Sequence, residues 1–156
     1  MDELEISFSQ SGARVEELER LLWNTLWKPL GLPRDIRESF KLEGEEFQLI
    51  AKAHGRCVGG LVGVWTGRHD VELRHLAVAH DAQKRGVGKR LVTVTLEMVA
   101  AKGCSRVYTI ARNTSVDFFK KLGFRTTADP APEHPAFKRH GIVFAPMETL
   151  IEHTTP

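Results

Sequence analysis

Cysteine is scarce in this chain: Cys57 and Cys104 are the only two among 156 residues. Two thiols cannot supply the disulfide framework of a small secreted domain, so both are expected to be reduced, buried and intracellular. There is one tyrosine, and aromatic residues make up 8% of the chain. The net charge is only +2. Neither feature suggests the basic stripe with stacking aromatics that nucleic acid requires. No apolar run approaches the roughly 20 residues that cross a bilayer. The start, Met1-Asp2-Glu3-Leu4-Glu5, is acidic where a secretory leader would be basic and then apolar. Repeats, low-complexity tracts and a splitting linker are also missing. These absences, with 42% hydrophobic and 27% charged residues, predict a cytoplasmic globular protein without membrane or nucleic-acid partners. The length suits a single domain over residues 1–156, with its core at about 4–151.

Hydrophobic periodicity supplies the elements. Leu4–Phe8 alternates as a strand, and Val15–Trp27 has the 3.6-residue spacing of a helix. Pro29, Gly31 and Pro33 end it, and a short helix follows over Arg34–Phe40. Phe47–Ala53 and Arg56–Thr66 read as a hairpin turning at His54-Gly55, with Gly59-Gly60 marking a bulge. Glu72–Val78 is the fourth strand, and Val87–Lys102 is a helix stopped by Gly103. Arg106–Ile110 is a strand. Asn113 or Thr114 caps a helix that runs to Leu122 and stops at Gly123. Phe124–Thr127, a Pro-rich loop over Asp129–Pro135 and a last strand over Ile142–Ile151 complete the chain. A run of strands followed by alternating helices and strands predicts an α/β (α+β) mixed sheet packed by helices.

The turn after the fourth strand carries the sharpest chemical signal. Gln83-Lys84-Arg85-Gly86-Val87-Gly88-Lys89-Arg90 joins a strand to a helix N-terminus. The first amides of a helix lack intrahelical partners, and the macrodipole adds positive potential there. Glycines at 86 and 88 leave the backbone open to a ligand. Four cations crowd an end where each is disfavoured by about 0.3–1 kcal/mol. A phosphate or pyrophosphate would reverse that cost. A Walker A loop is ruled out, because Gly88-Lys89 is followed by Arg90 and Gln83 holds the first glycine position. A dinucleotide fingerprint is ruled out by Leu91 at its third glycine. Of the seven histidines, none shows a metal-binding spacing with Cys or acids, and no metal is expected.

Two blocks resemble the GCN5-related N-acetyltransferase (GNAT) superfamily. The first is Glu72-Leu-Arg-His-Leu-Ala-Val78 followed by Gln83-Lys-Arg-Gly-Val-Gly88. The second is Ala111-Arg-Asn-Thr-Ser-Val-Asp-Phe-Phe-Lys-Lys-Leu-Gly-Phe124, similar to the family's helix ending in Phe-Tyr-x-Lys-Leu-Gly-Phe. The resemblance implies a mostly antiparallel central sheet of six to seven strands, splayed between strands 4 and 5 and flanked by about four helices. It implies acetyl-CoA as co-substrate and an amine of a small molecule or peptide as acceptor. Leu76, Ala77 and Val78 would pair with the pantetheine arm. Gln83, Lys84, Arg85, Gly86, Val87, Gly88 and Lys89 would hold the pyrophosphate, and Asn113 to Phe119 would flank the thioester. The Trp27–Arg34 segment and the Asp129–His140 loop would border the acceptor. A homodimer follows by the same analogy.

For catalysis, Glu72 is the candidate base, acting through water; its bland alternative is a strand residue paired with Arg74. His75 is the second candidate, expected on the opposite face of the strand and serving the core or sheet face. Phe119 stands where many relatives carry a tyrosine that protonates the leaving thiolate. Tyr108 is a weak candidate for that acid, with a core role favoured. The substitution at Phe119 keeps open a second reading, a non-catalytic acyl-CoA-binding regulatory module. A nucleotide-binding interaction domain is a third.

Overall fold

Alternating Leu4 and Ile6 build the edge strand β1 (Leu4–Ser9) of a seven-stranded sheet. The structure is a computed structural model, and it describes residues 3–9, 15–40 and 44–153. Met1-Asp2, read above as part of an acidic start, lies outside the described residues. β2 (Glu45–Ala53) and β3 (Arg56–Trp65) form the expected hairpin. His54 and Gly55 both take positive φ, 52° and 75°, the pair of left-handed residues that a tight two-residue turn demands. β4 (Asp70–Val78), β5 (Arg106–Arg112), β6 (Arg125–Thr126) and β7 (Phe144–Leu150) complete the order β1-β2-β3-β4-β5-β7-β6. Every neighbouring pair is antiparallel except β4 and β5.

Helices cover both faces. α1 (Glu16–Leu22) buries Leu18 and Leu22 with Ile50, Val62 and Ala77 on one face. α2 (Val87–Ala101) buries Val87, Leu91, Val92 and Val99 with Leu49, Leu61 and Leu73 on the other. α3 (Val116–Lys121) ends at Gly123, as α2 ends at Gly103, and both glycines take positive φ. A fourth, single-turn helix, α4 (Pro135–Lys138), starts on Pro135 inside the stretch read as loop.

Several expectations are corrected. The helix read as Val15–Trp27 is regular only to Leu22, then continues as a π turn (Trp23–Trp27) and a 3₁₀ turn (Lys28–Leu30). Pro29 sits at the start of the 3₁₀ turn and Gly31, left-handed, closes it. The segment Arg34–Phe40 holds a 3₁₀ turn, Ile36–Ser39, rather than an α-helix. Gly59 and Gly60 are not the bulge; Ala51 pairs with Gly59 and Lys52 with Cys57, which leaves Val58 as the extra residue. The glycines serve packing instead. A Cβ on Gly59 would lie 2.7 Å from Val87 of α2, and one on Gly60 would lie 2.1 Å from Leu18 of α1. The two helices therefore approach β3 from opposite faces at adjacent residues. Cys104 is buried as expected, but Cys57 is only half-buried.

Gly63 is the least replaceable of these contacts. Its missing Cβ would sit 2.3 Å from Cζ of Phe47, a ring 1% exposed and held within the core. Gly63→Ala should cost about 1–3 kcal/mol, the usual result of overpacking. Urea denaturation checks this, and an unchanged midpoint would show that the ring can yield.

Candidate active site

The sheet opens where the parallel pairing of β4 with β5 stops. β4 and β5 pair from Asp70↔Arg106 to Leu73↔Thr109 and no further. At the fork, the buried Thr109 hydroxyl donates to the Leu73 carbonyl over 2.9 Å. Beyond it β4 continues with β3 and β5 continues with β7. The edge of β4 from Arg74 to Val78 thus has no strand beside it on the β5 side. A cavity of about 330 Å³ fills the gap. Its walls include Trp27, Phe40, Glu72, His75, Phe119, Pro132, His134 and Phe137. Of the two segments that the resemblance implies as acceptor borders, Trp27 from the first and Pro132, His134 and Phe137 from the second line this space.

The strand-to-helix turn lies at the far end of β4. Gly86 is the N-cap of α2, with φ +83°, and a Cβ built there meets nothing within 4 Å. Its glycine is required by the left-handed backbone, and the space beside it is open. Gly88 also has a packing reason. A Cβ there would lie 3.3 Å from Phe118, so this glycine lets α3 close on α2. No acidic residue occupies the first turn of α2, and no side chain caps it. Lys84, Arg85 and Lys89 are exposed, and the Val87 side chain is buried in the core. Gln83 turns back, its Nε2 donating to the Val78 carbonyl over 3.0 Å. That bond ties the turn to the strand end expected to meet the pantetheine.

Comparison with known proteins shows the family. The acetyltransferase (GNAT) domain model matches residues 9–151. This chain belongs to the GNAT acetyltransferase family. It is 30% identical over 110 residues to the uncharacterized N-acetyltransferase YvbK of Bacillus subtilis (strain 168), covering 69% of this chain and 68% of that protein. A GNAT family acetyltransferase from Elizabethkingia anophelis, solved with acetyl-CoA bound, superposes with a TM-score of 0.70 at 17% identity, over 97% of this chain and 100% of the other. An acyl-CoA N-acyltransferase from Pseudomonas aeruginosa gives 0.75 at 15% identity, over 94% and 99%. At such identities these two likenesses speak for the fold: the splayed mixed sheet is that of the GNAT acyltransferases.

Within this GNAT cavity, Glu72 is 8% exposed. Burial pushes its carboxyl above the usual carboxylate range, while Arg74, bonded to both oxygens at 3.2 Å, pulls the other way. The pairing with Arg74 weighed from the sequence is thus present, and it coexists with the cavity position.

His75 is corrected. Simple alternation puts it opposite Glu72, but Val62 pairs with His75 while Gly63 pairs with Leu73. Arg74 is therefore the extra residue of a bulge, and the alternation resets. His75 packs edge-on against Trp27 at 5.1 Å and lies 6.0 Å from Phe40. Both rings belong to the α1 face, which is the face Glu72 also takes.

Tyr108 is neither core nor cavity wall. It is half-buried in register beside Glu72, with Arg106 over its ring at 4.3 Å and its hydroxyl donating to Thr66 over 2.9 Å. Phe119 is 5% exposed and packs against Phe118 and Phe124 at 5.1 and 5.2 Å, so its ring serves the core while touching the cavity. Asn113 and Thr114 do not cap α3, whose N-cap Ser115 makes no side-chain bond either. Asn113 instead bridges toward β7, accepting from the Val143 amide at 3.2 Å and donating to the Gly141 carbonyl at 3.3 Å.

Thr109 carried no signal in the sequence, and Arg112 and Phe137 entered it only within the block Ala111–Phe124 and the Asp129–His140 loop. Their importance follows from the fork and from α4 folding over it, both of which are long-range features. Among the described residues, no group of three His, Cys, Asp or Glu side chains is arranged to hold a metal, and no helix is long and apolar enough to cross a membrane.

Proposed function

We propose that this GNAT protein transfers an acetyl group from acetyl-CoA directly to a primary amine of a small molecule or peptide within a ternary complex. The observation that carries this reading is the placement of one buried carboxylate, Glu72, in a cavity that opens between β4 and β5. The pantetheine would lie along Leu76, Ala77 and Val78 as a surrogate strand, using the edge that β5 leaves. The pyrophosphate would sit on the amides that begin α2, within reach of Lys84, Arg85 and Lys89. The whole chain would act as one domain, in the cytoplasm, as a homodimer.

The chemistry has two demands. A lysine-like amine has a pKa near 10.4, so its neutral form at pH 7 lies about 4–5 kcal/mol uphill. Glu72, acting through water, would take the proton. A carboxyl raised by burial is a better base than an exposed one, because its conjugate acid is weaker. The thioester oxyanion would be met by a β4 backbone amide left free at the splay. Neutral amine nitrogen would then attack the acetyl carbonyl, and the C–S bond would break to release CoA thiolate. A thiol leaving group has a pKa near 8.5 by analogy with cysteine, so it departs without a strong acid. Phe119 is compatible with that, and water would return the proton.

A turnover assay that follows free CoA thiol, with acetyl-CoA and a panel of primary amines, tests the proposal. Thiol release dependent on an amine supports it. Tight acetyl-CoA binding with no amine-dependent release would favour the regulatory module instead.

A further inference from the structure

Among the described residues, the buried and half-buried arginines are matched to acids, with one exception. Arg37, 3% exposed, meets Glu19 and Glu46. Arg74 meets Glu72, and Arg106 meets Glu148 over 3.0 Å. Arg112, half-buried at the end of β5, meets no carboxylate among the described residues. Its Nη2 donates to the Leu26 carbonyl over 2.8 Å, and its guanidinium lies over the Phe137 ring at 5.4 Å. Of five N–H donors, one is engaged. Burial with no acid to offset it lowers the guanidinium's affinity for its proton.

Arg112 is also a wall of the cavity at the fork. Among the described residues, that cavity is lined by one carboxylate, Glu72, and Arg74 pairs with it. The Arg112 charge is therefore in surplus. The phosphates of CoA are not the natural counter-ions. Their proposed seat is at the N-terminus of α2, a helix packed on the opposite face from Leu26 and Phe137. Leu26, Trp27, Phe40, Phe137 and Phe144 make much of the remaining wall apolar and aromatic, with His134 packed edge-on against Phe137 at 5.1 Å.

We propose that Arg112 is a specificity residue that binds a carboxylate on the acceptor, which makes the acceptor an amino-acid-class molecule with an apolar or aromatic side chain. This rests on the cavity being the acceptor pocket, as in the function proposed above. The planar guanidinium, fixed by Leu26 and Phe137, presents its free N–H groups as a fork that a carboxylate fits in a bidentate manner. The apolar walls would take the side chain, and the amine would point toward Glu72. A polycationic acceptor would meet an unpaired like charge in the same place.

Calorimetric titration of the CoA-saturated protein tests this without relying on turnover. The probes are the N-acetyl forms of phenylalanine, leucine and methionine, each beside its neutral carboxamide. At least one carboxylate is expected to bind about 30-fold or more tightly than its carboxamide. Arg112→Gln should erase that preference, and Arg112→Lys should keep part of it. Equal affinity within every pair, or no binding by any probe, overturns the inference. A preference that survives in Arg112→Gln overturns it too. Should the Gln variant fail to fold, the wild-type pairs and Arg112→Lys still decide. Acetyl transfer is scored separately. Turnover of amines without carboxylate preference sinks this inference alone, whereas preference without any turnover supports it and sinks the catalytic reading.

Discussion

Gly86→Glu is expected to weaken acetyl-CoA binding by at least two orders of magnitude in a protein that still folds. Gly86 is the N-cap of α2 at φ +83°, and nothing lies within 4 Å of a Cβ placed there. Substitution therefore meets the backbone penalty of a left-handed residue, about 1–2 kcal/mol, and no clash with the core. The added carboxylate would face the pyrophosphate. Two unit charges 4 Å apart repel by about 4 kcal/mol at an effective dielectric of 20, more than enough for a hundredfold loss. Gly86→Ala is the control, because it carries the backbone penalty without the charge. It should lower the melting temperature by a few degrees and leave most of the affinity. Calorimetry on the three proteins separates the contributions. Retained acetyl-CoA affinity in a folded Gly86→Glu protein would show that the pyrophosphate sits elsewhere.

Glu72→Gln is expected to lower kcat/KM for the amine by about 10²–10³-fold near pH 7, with acetyl-CoA affinity unchanged. The glutamine keeps the shape of the side chain and removes the base. The pH profile carries the sharper signature. Burial raises the Glu72 carboxyl, and its active form is the carboxylate, so the wild-type rate should climb with pH through a value above the ordinary glutamate range. That limb should vanish in the variant. Stability moves the other way. Because the folded state holds this proton more tightly than the unfolded chain, stability falls as pH rises from the ordinary glutamate pKa through the raised one. A Glu72→Gln enzyme with wild-type activity across pH 6–9 would remove Glu72 from the proton path.

Much of this architecture was legible because it is set locally. The His54-Gly55 turn, the α2 stripe and the stops at Gly103 and Gly123 each follow from a few neighbouring residues. The turn at Gln83–Lys89 and the block ending at Phe124 were specific enough to indicate the family before any coordinates. Register was not legible. The bulge at Arg74 depends on how β3 pairs with β4, and it alone moves His75 to the side of Glu72. Asn113 looked like a cap because the sequence shows its neighbours in the chain and not Gly141 or Val143 across the fold. Arg112 entered the sequence reading only as a member of the block Ala111–Phe124, with no role of its own. Its surroundings emerge only when Phe137 of α4 comes beside it and no acid among the described residues pairs with it. The glycines of β3 show the same limit, since their purpose is the close approach of Leu18, Val87 and Phe47 from elsewhere in the chain.

The central claim is that the splay and the α2 turn together form an acyl-CoA site, and calorimetric titration of the purified protein with acetyl-CoA, against ATP as control, tests it most directly. Saturable binding of acetyl-CoA with ATP markedly weaker is the predicted result. Equal or tighter binding of ATP, or no acetyl-CoA binding by a protein shown to be folded, would contradict it.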